Sequence, residues 1–140
     1  MVHQPDLAHI RAVAEDQSPF GRLFRLRIIT AESDLLEAEI NVTPELCNRN
    51  GVLHGGAVSG ICDNMGGCAT FMNLWPDEGT TTIEAKTNFS RPVAIGEKIR
   101  VRCVPLHKGR KTAIWQTTIL RADSKVAAIS TQTQLMLKKE

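Results

Sequence analysis

The sequence predicts an α+β domain in which one long buried helix lies against an antiparallel sheet. Three observations predict it. Several segments alternate apolar and polar residues with the period of two that a half-covered strand requires. One glycine-rich stretch, Gly55 to about Met72, instead repeats its apolar residues at helical spacing and contains no proline. About four strand-like segments then follow that helix in an unbroken run, an order that suits an antiparallel layer.

The elements follow in order. Leu7, Ile10, Val13 and Ala14 recur at helical spacing after Pro5-Asp6, so a short amphipathic helix opens the chain and Gln17-Ser18-Pro19 ends it. Two strands follow, one around Phe24 to Thr30 through Phe24, Leu26 and Ile28, the other through Leu36, Ala38, Ile40 and Val42. Ala31-Glu32-Ser33-Asp34 reads as the hairpin turn between them. In the central helix Val58, Ile61, Cys62, Met65, Ala69 and Met72 share a face. Gly60, Gly66 and Gly67 each cost up to about 1 kcal/mol relative to alanine, a concession that suits a buried helix approached closely by other backbone.

The remaining strands are expected over Thr81 to Phe89, Lys98 to Val104, Thr112 to Arg121 and Val126 to Leu137. In the first, Ile83, Ala85 and Phe89 fall on one side and Thr82, Glu84, Lys86 and Asn88 on the other. A turn at Ala122-Asp123-Ser124-Lys125 joins the last two. The whole is read as a single domain over 1–140, with 1–18 as its N-terminal helical segment.

Composition narrows the function. A net charge of +2 gives no field that would draw nucleic acid or an anionic membrane, and 4% aromatic residues without a tyrosine leave few platforms for stacking bases. The four cysteines show neither CxxC spacing nor a histidine at ligand spacing, which argues against a zinc site or a disulfide framework. They are read as reduced side chains of a cytoplasmic protein. The N-terminus carries acids and no apolar run, unlike a signal peptide, and no stretch reaches the roughly 20 apolar residues of a membrane span.

The informative stretch is Asn48-Arg49-Asn50-Gly51-Val52-Leu53-His54-Gly55-Gly56, followed by Asp63. A helix start carries unpaired N–H groups and the positive end of the helix dipole. His54 and two glycines there let a ligand oxygen approach the backbone, and the Gly55 N–H is the donor for an oxygen that becomes negative in a transition state. Asp63 is the single charged residue of the helix, and a lone carboxylate in such a setting invites a functional reading. It lies eight residues beyond Gly55, about 12 Å along the axis at 1.5 Å per residue. If both residues act together, Asp63 must therefore serve a site opened by another subunit's helix.

Asn48-Arg49-Asn50-Gly51-Val52-Leu53-His54-Gly55-Gly56-Ala57-Val58-Ser59-Gly60-Ile61-Cys62-Asp63-Asn64-Met65-Gly66-Gly67 resembles the signature of the hotdog-fold thioesterases, in particular the PaaI-like and THEM2-like acyl-CoA thioesterases. The resemblance runs over nearly the whole chain and includes Phe89-Ser90-Arg91-Pro92 and Gly96-Glu97. It implies the hotdog fold, a long central helix wrapped by a curved antiparallel sheet. It also implies a catalytic set in which Asn48 holds water or thioester, His54 lies beside the thioester, Gly55 supplies the oxyanion donor and Asp63 is general base or nucleophile. Thr82 falls where THEM2-like members have a serine that positions the water. Gly67 stands where the family often has Ser or Thr one turn after the acid, a departure that favours the THEM2-like arrangement. Substrate contacts are expected from Gly56, and CoA phosphate contacts from Ser90, Arg91 and the turn Lys108-Gly109-Arg110-Lys111. No metal or cofactor is implied, and homodimers pairing into homotetramers are. Two other readings compete: a hotdog hydratase or dehydratase, whose pattern around the acid differs, and a non-catalytic acyl-CoA sensor, which would not need Asn48, His54 and Asp63 together.

Overall fold

A computed structural model describes residues 4–140, so the first three positions of the N-terminal segment lie outside the described residues. Helix α1 (Leu7–Glu15) starts where the Asp6 side chain accepts the His9 N–H, and it buries Ile10 and Ala14. The expected stop at Gln17-Ser18-Pro19 is also a start. Ser18 Oγ accepts the Gly21 N–H and Pro19 occupies the first turn of a short second helix, α2 (Pro19–Arg22). Phe24 consequently belongs to the turn after α2 and not to a strand, and its ring meets that of Phe20 edge-on at 5.0 Å between centroids. After Arg25, at φ 49°, strand β1 (Arg27–Glu32) begins.

Strand β2 (Leu35–Asn41) follows a turn tighter than expected, with Ser33 and Asp34 alone between the strands. A short 3-10 turn (Pro44–Leu46) leads to the long helix α3 (Gly55–Phe71). The chain then runs through β3 (Glu78–Phe89), β4 (Lys98–Lys108), β5 (Thr112–Leu120) and β6 (Val126–Lys138). All pair antiparallel in one six-stranded sheet of order β1-β2-β4-β5-β6-β3. Helix α3 packs across β2, β4, β5, β6 and β3, the hotdog arrangement.

The core lies between α3 and the sheet. Ile61, Met65 and Ala69 from the helix meet Ile99, Val101 and Cys103 of β4 and Ala113, Trp115 and Ile119 of β5, all fully buried. Each large side chain among them contributes about 1.5–3 kcal/mol by leaving water. The opposite side of α3 is not covered throughout: Asp63 and Phe71 are exposed. Where glycines of α3 are crowded, as at Gly60 and Gly66, side chains and not backbone crowd them. A Cβ at Gly60 would lie 3.0 Å from Phe20 and 3.3 Å from Phe24, so this glycine seats the α2 segment.

Strand β3 is an edge, bonded to β6 alone, and it carries Ile83 at 56% and Phe89 at 58% exposure. Its alternation is not continuous. The register shifts between Thr82 and Glu84, so Ile83 is a bulge and the phase changes there. Thr82 opposes Gln134, Ala85 opposes Gln132 and Phe89 opposes Ala128, all buried on the helix side of β6. Thr82 therefore shares a face with Ala85 and Phe89, where plain alternation placed it opposite them.

Candidate active site

Two parts of α3 carry the chemistry-bearing residues. At its start, His54 is the N-cap: its backbone is extended (φ −63°, ψ 137°) and its Nδ1 accepts the Gly56 N–H at 2.8 Å. With Nδ1 accepting, the hydrogen of the neutral imidazole sits on Nε2. Gly56, expected to contact substrate, spends its N–H on this cap, and a Cβ there would stand 3.0 Å from Nδ1. Gly55 is the first helical residue, and its N–H has no acceptor among the described residues.

The loop before the cap is held by Asn48. Its Oδ1 accepts from Asn50 N at 2.9 Å and Val52 N at 3.4 Å, and Gly51 closes the turn at φ 75°, where a side chain would be strained. Its Oδ1 is thereby committed to the turn, which leaves the Nδ2 donor outside those bonds. Gly55 lies with Phe89, Ser90, Arg91 and Val93 around a recess of about 290 Å³. Ser90 and Arg91, expected as phosphate contacts, are thus neighbours of the Gly55 amide. Arg91 Nη1 donates to the Val126 carbonyl at 2.8 Å.

Two turns further along, Asp63 is exposed at the edge of a different and larger cleft of about 630 Å³. Val13, Phe20 and Phe71 form part of its apolar wall, and Asn64, Thr81 and Thr82 part of its polar one. Thr82 Oγ1 donates to Asp63 Oδ1 at 2.8 Å, so the residue expected to position water touches the expected base directly. Gln134 Nε2 donates in turn to Thr82 Oγ1 at 2.6 Å, and Gln132 Nε2 lies 3.5 Å from Asp63 Oδ1. Sequence reasoning missed both glutamines. The signal was there: Ser130, Gln132 and Gln134 interrupt the inward-facing side of β6 between Ala128 and Met136. Gly67 opens onto the same cleft, with nothing within 4 Å of where a Cβ would stand.

The basic turn is not brought to either place. Lys108 ends β4 and its Nζ bonds Asp34 Oδ1 at 2.6 Å and Ser33 Oγ at 3.0 Å. Ser33 Oγ in turn donates to Asn73, just past the C-terminal end of α3. Within one chain, Lys108, Gly109, Arg110 and Lys111 therefore lie at the opposite end of α3 from Gly55. The four cysteines are free thiols; burial pushes Cys62 and Cys103 up to about 12 and Cys68 up to about 11. No helix among the described residues is long and apolar enough to cross a membrane.

Comparison with known proteins agrees with the fold. The proofreading thioesterase EntH of Klebsiella pneumoniae is 36% identical over 90 residues, a match spanning 63% of this chain and 64% of that protein's length. The structure of the PaaI protein of the Escherichia coli phenylacetic acid degradation operon superposes with a TM-score of 0.85 at 16% identity, covering 96% of this chain and 98% of that one. A Streptococcus mutans protein bound to acetyl-CoA, smu.793, superposes with a TM-score of 0.76 at 19% identity, covering 82% and 90% of the two chains. The family model described as thioesterase superfamily matches residues 50–128, more than half of the sequence. The chain belongs to the thioesterase superfamily.

Proposed function

We propose that this protein is an acyl-CoA thioesterase, hydrolysing an acyl thioester to free acid and CoA at a site built by two subunits. The observation that carries the reading is the Thr82–Asp63 hydrogen bond of 2.8 Å on the same helix that opens with an uncommitted Gly55 N–H. The two halves open into different recesses of one chain. About 12 Å of helix separates them, so a base and an oxyanion donor meet only across an interface. The exposed β3 edge suits that interface, since pairing with the same strand of a second copy satisfies its unbonded backbone groups. Such dimers pair again into tetramers in this reading.

In the reaction, the Gly55 N–H of one subunit donates to the thioester carbonyl oxygen, helped by the dipole of α3. The Asp63 carboxylate of the other subunit takes a proton from a water while the water oxygen bonds to the carbonyl carbon. Collapse of the tetrahedral intermediate breaks the C–S bond and releases CoA as the leaving thiolate. Direct attack by the carboxylate, giving an anhydride that water then opens, uses the same groups. Asn48 and the Nε2–H of His54 flank the thioester, and Ser90 and Arg91 lie where phosphates would pass. The cleft beside Asp63, part apolar and part polar, takes an aromatic or medium-chain acyl group. Acetyl-CoA bound to a protein of the same fold supports a CoA ester as the ligand. Four free thiols suit a reducing compartment, and we place the protein in the cytoplasm.

The test is incubation with a panel of aromatic and straight-chain acyl-CoAs, following free thiol. Thiol release by the native protein that disappears in Asp63→Ala is the expected result. Tight binding without turnover would instead make the protein a sensor, and water addition to an enoyl thioester without thiol release would make it a hydratase.

A further inference from the structure

The helix-facing side of β6 is polar at three successive positions, Ser130, Gln132 and Gln134, all buried, between the apolar Ala128 and Met136. Buried amides of this kind are retained where they hold something in place. The hydrogen bonds of Gln134 run in one direction. Thr80 Oγ1 lies 2.9 Å from Gln134 Oε1 and 3.1 Å from the Leu135 carbonyl oxygen, two acceptors for its one hydrogen, and the Gln134 amide presents its oxygen to Thr80 and its nitrogen to Thr82. Gln134 Nε2 then donates to Thr82 Oγ1 at 2.6 Å, and Thr82 donates to Asp63 Oδ1 at 2.8 Å. A threonine hydroxyl has one hydrogen. With the amide occupying a lone pair of Oγ1, that hydrogen is directed to the carboxylate.

Gln132 approaches Asp63 from the sheet side. Its Nε2 lies 3.3 Å from the Asp63 carbonyl oxygen and 3.5 Å from Oδ1, while its own buried Oε1 has no partner among the described residues. An orphaned buried oxygen is destabilising, so stability alone does not explain the orientation. Space for the amide comes from Gly66, where a Cβ would stand 2.3 Å from Gln132 Cδ. Both contacts reach Oδ1, and Oδ2 takes no hydrogen bond from the described residues.

We infer that Gln134, oriented by Thr80, and Gln132, admitted by Gly66, are positioning residues that fix the Asp63 carboxylate through Oδ1 and reserve Oδ2 for the reaction. The inference rests on the reading of Asp63 as the base or nucleophile. It concerns how the group is held, not which ligand it serves.

The experiment is a double-mutant cycle between Gln134→Met and Thr82→Val, with kcat and KM measured separately on an acyl-CoA that the native protein turns over. Each single variant should lower kcat by the roughly ten- to hundredfold typical of outer-shell hydrogen-bond partners, with KM little changed. The double variant should be no worse than Thr82→Val alone, because Gln134 acts only through the hydroxyl. Thr82→Ser, which keeps the hydroxyl, should retain activity. Native kcat in Gln134→Met, or losses that multiply in the double variant, would overturn the inference. If Gln134→Met fails to fold, Thr80→Val takes its place: freeing the amide should lower kcat at unchanged KM, and an unchanged kcat overturns the inference. Asp63→Ala separates the two readings. If it is inactive while Gln134→Met is native, the positioning role alone fails; if it retains full turnover, the proposed base fails as well.

Discussion

The start of α3 and its middle differ in what holds them. His54, Gly55 and Gly56 are organised by their own neighbours, through a cap that closes within three residues and a turn that Asn48 braces four residues ahead. Asp63 is organised from afar, by Thr82 and by two glutamines some seventy positions later on β6. The first region is made mostly of backbone, and its distant tie is to the segment after β3, where Leu53 N donates to the Val93 carbonyl and Ile95 N to the Gly51 carbonyl. The second depends on the register of β3 against β6 and on a single bulge at Ile83. One is written in a motif, the other in the fold.

The largest expected effects come from breaking each region by its own logic. Asp63→Ala removes the proposed base and should lower kcat by about 10²–10⁴ while leaving the fold intact, since the carboxylate is exposed. Gly55→Pro attacks the other region. The first helical position tolerates proline, and the preceding His54 already has the extended backbone a proline requires. The variant should keep its melting temperature yet lose about 10²–10³ in kcat, because only the N–H is gone. An active Gly55→Pro enzyme would remove Gly55 from the mechanism and leave Asp63 untouched.

A smaller contrast lies in two adjacent glycines of α3. Gly66→Ala drives a methyl into Gln132 and should cost about 1–3 kcal/mol of stability together with activity. Gly67→Ala meets open space and should gain up to about 1 kcal/mol through helix propensity. Thermal melts of the pair decide it. Equal effects at both positions would mean that Gln132 does not lie over Gly66.

The smallest effect concerns the thiols. Burial holds Cys62 and Cys103 protonated up to about 12, well above the ordinary 9.0. Iodoacetamide at pH 8 should therefore leave both unmodified in the native protein and label them in the unfolded one. Because the folded state binds these protons more tightly than the unfolded chain, the stability they contribute is whole below pH 9.0 and is lost as pH rises toward about 12. Melting temperatures should accordingly fall along that alkaline limb.

The sequence made the local region legible and the distant one only in part. His54 as the entry to α3, the apolar face of that helix and the strands through β2, β4, β5 and β6 all follow from spacing and periodicity, because each is decided within a few residues. Helix α2 escaped because Ser18-Pro19 ends one helix and caps the next, and the short-range signals for the two coincide. The face of Thr82 escaped because a bulge shifts the period of two by one residue, which only pairing with β6 reveals. The ion pair of Lys108 with Asp34 was not legible in the basic turn, because it depends on which hairpins become neighbours. Gln132 and Gln134 were visible as polar residues on an apolar stripe, but what they hold lies on another element.

The central claim, that each site joins the start of one subunit's helix to the middle of another's, is tested most directly by mixing subunits. Asp63→Ala and His54→Ala chains, each inactive alone, are unfolded together, refolded at equal concentration and assayed for thiol release. In a composite site, half of the dimers are mixed and one of their two sites is intact, so about a quarter of native turnover should return. Demonstrably mixed dimers without recovered turnover would contradict the account and confine each site to one chain.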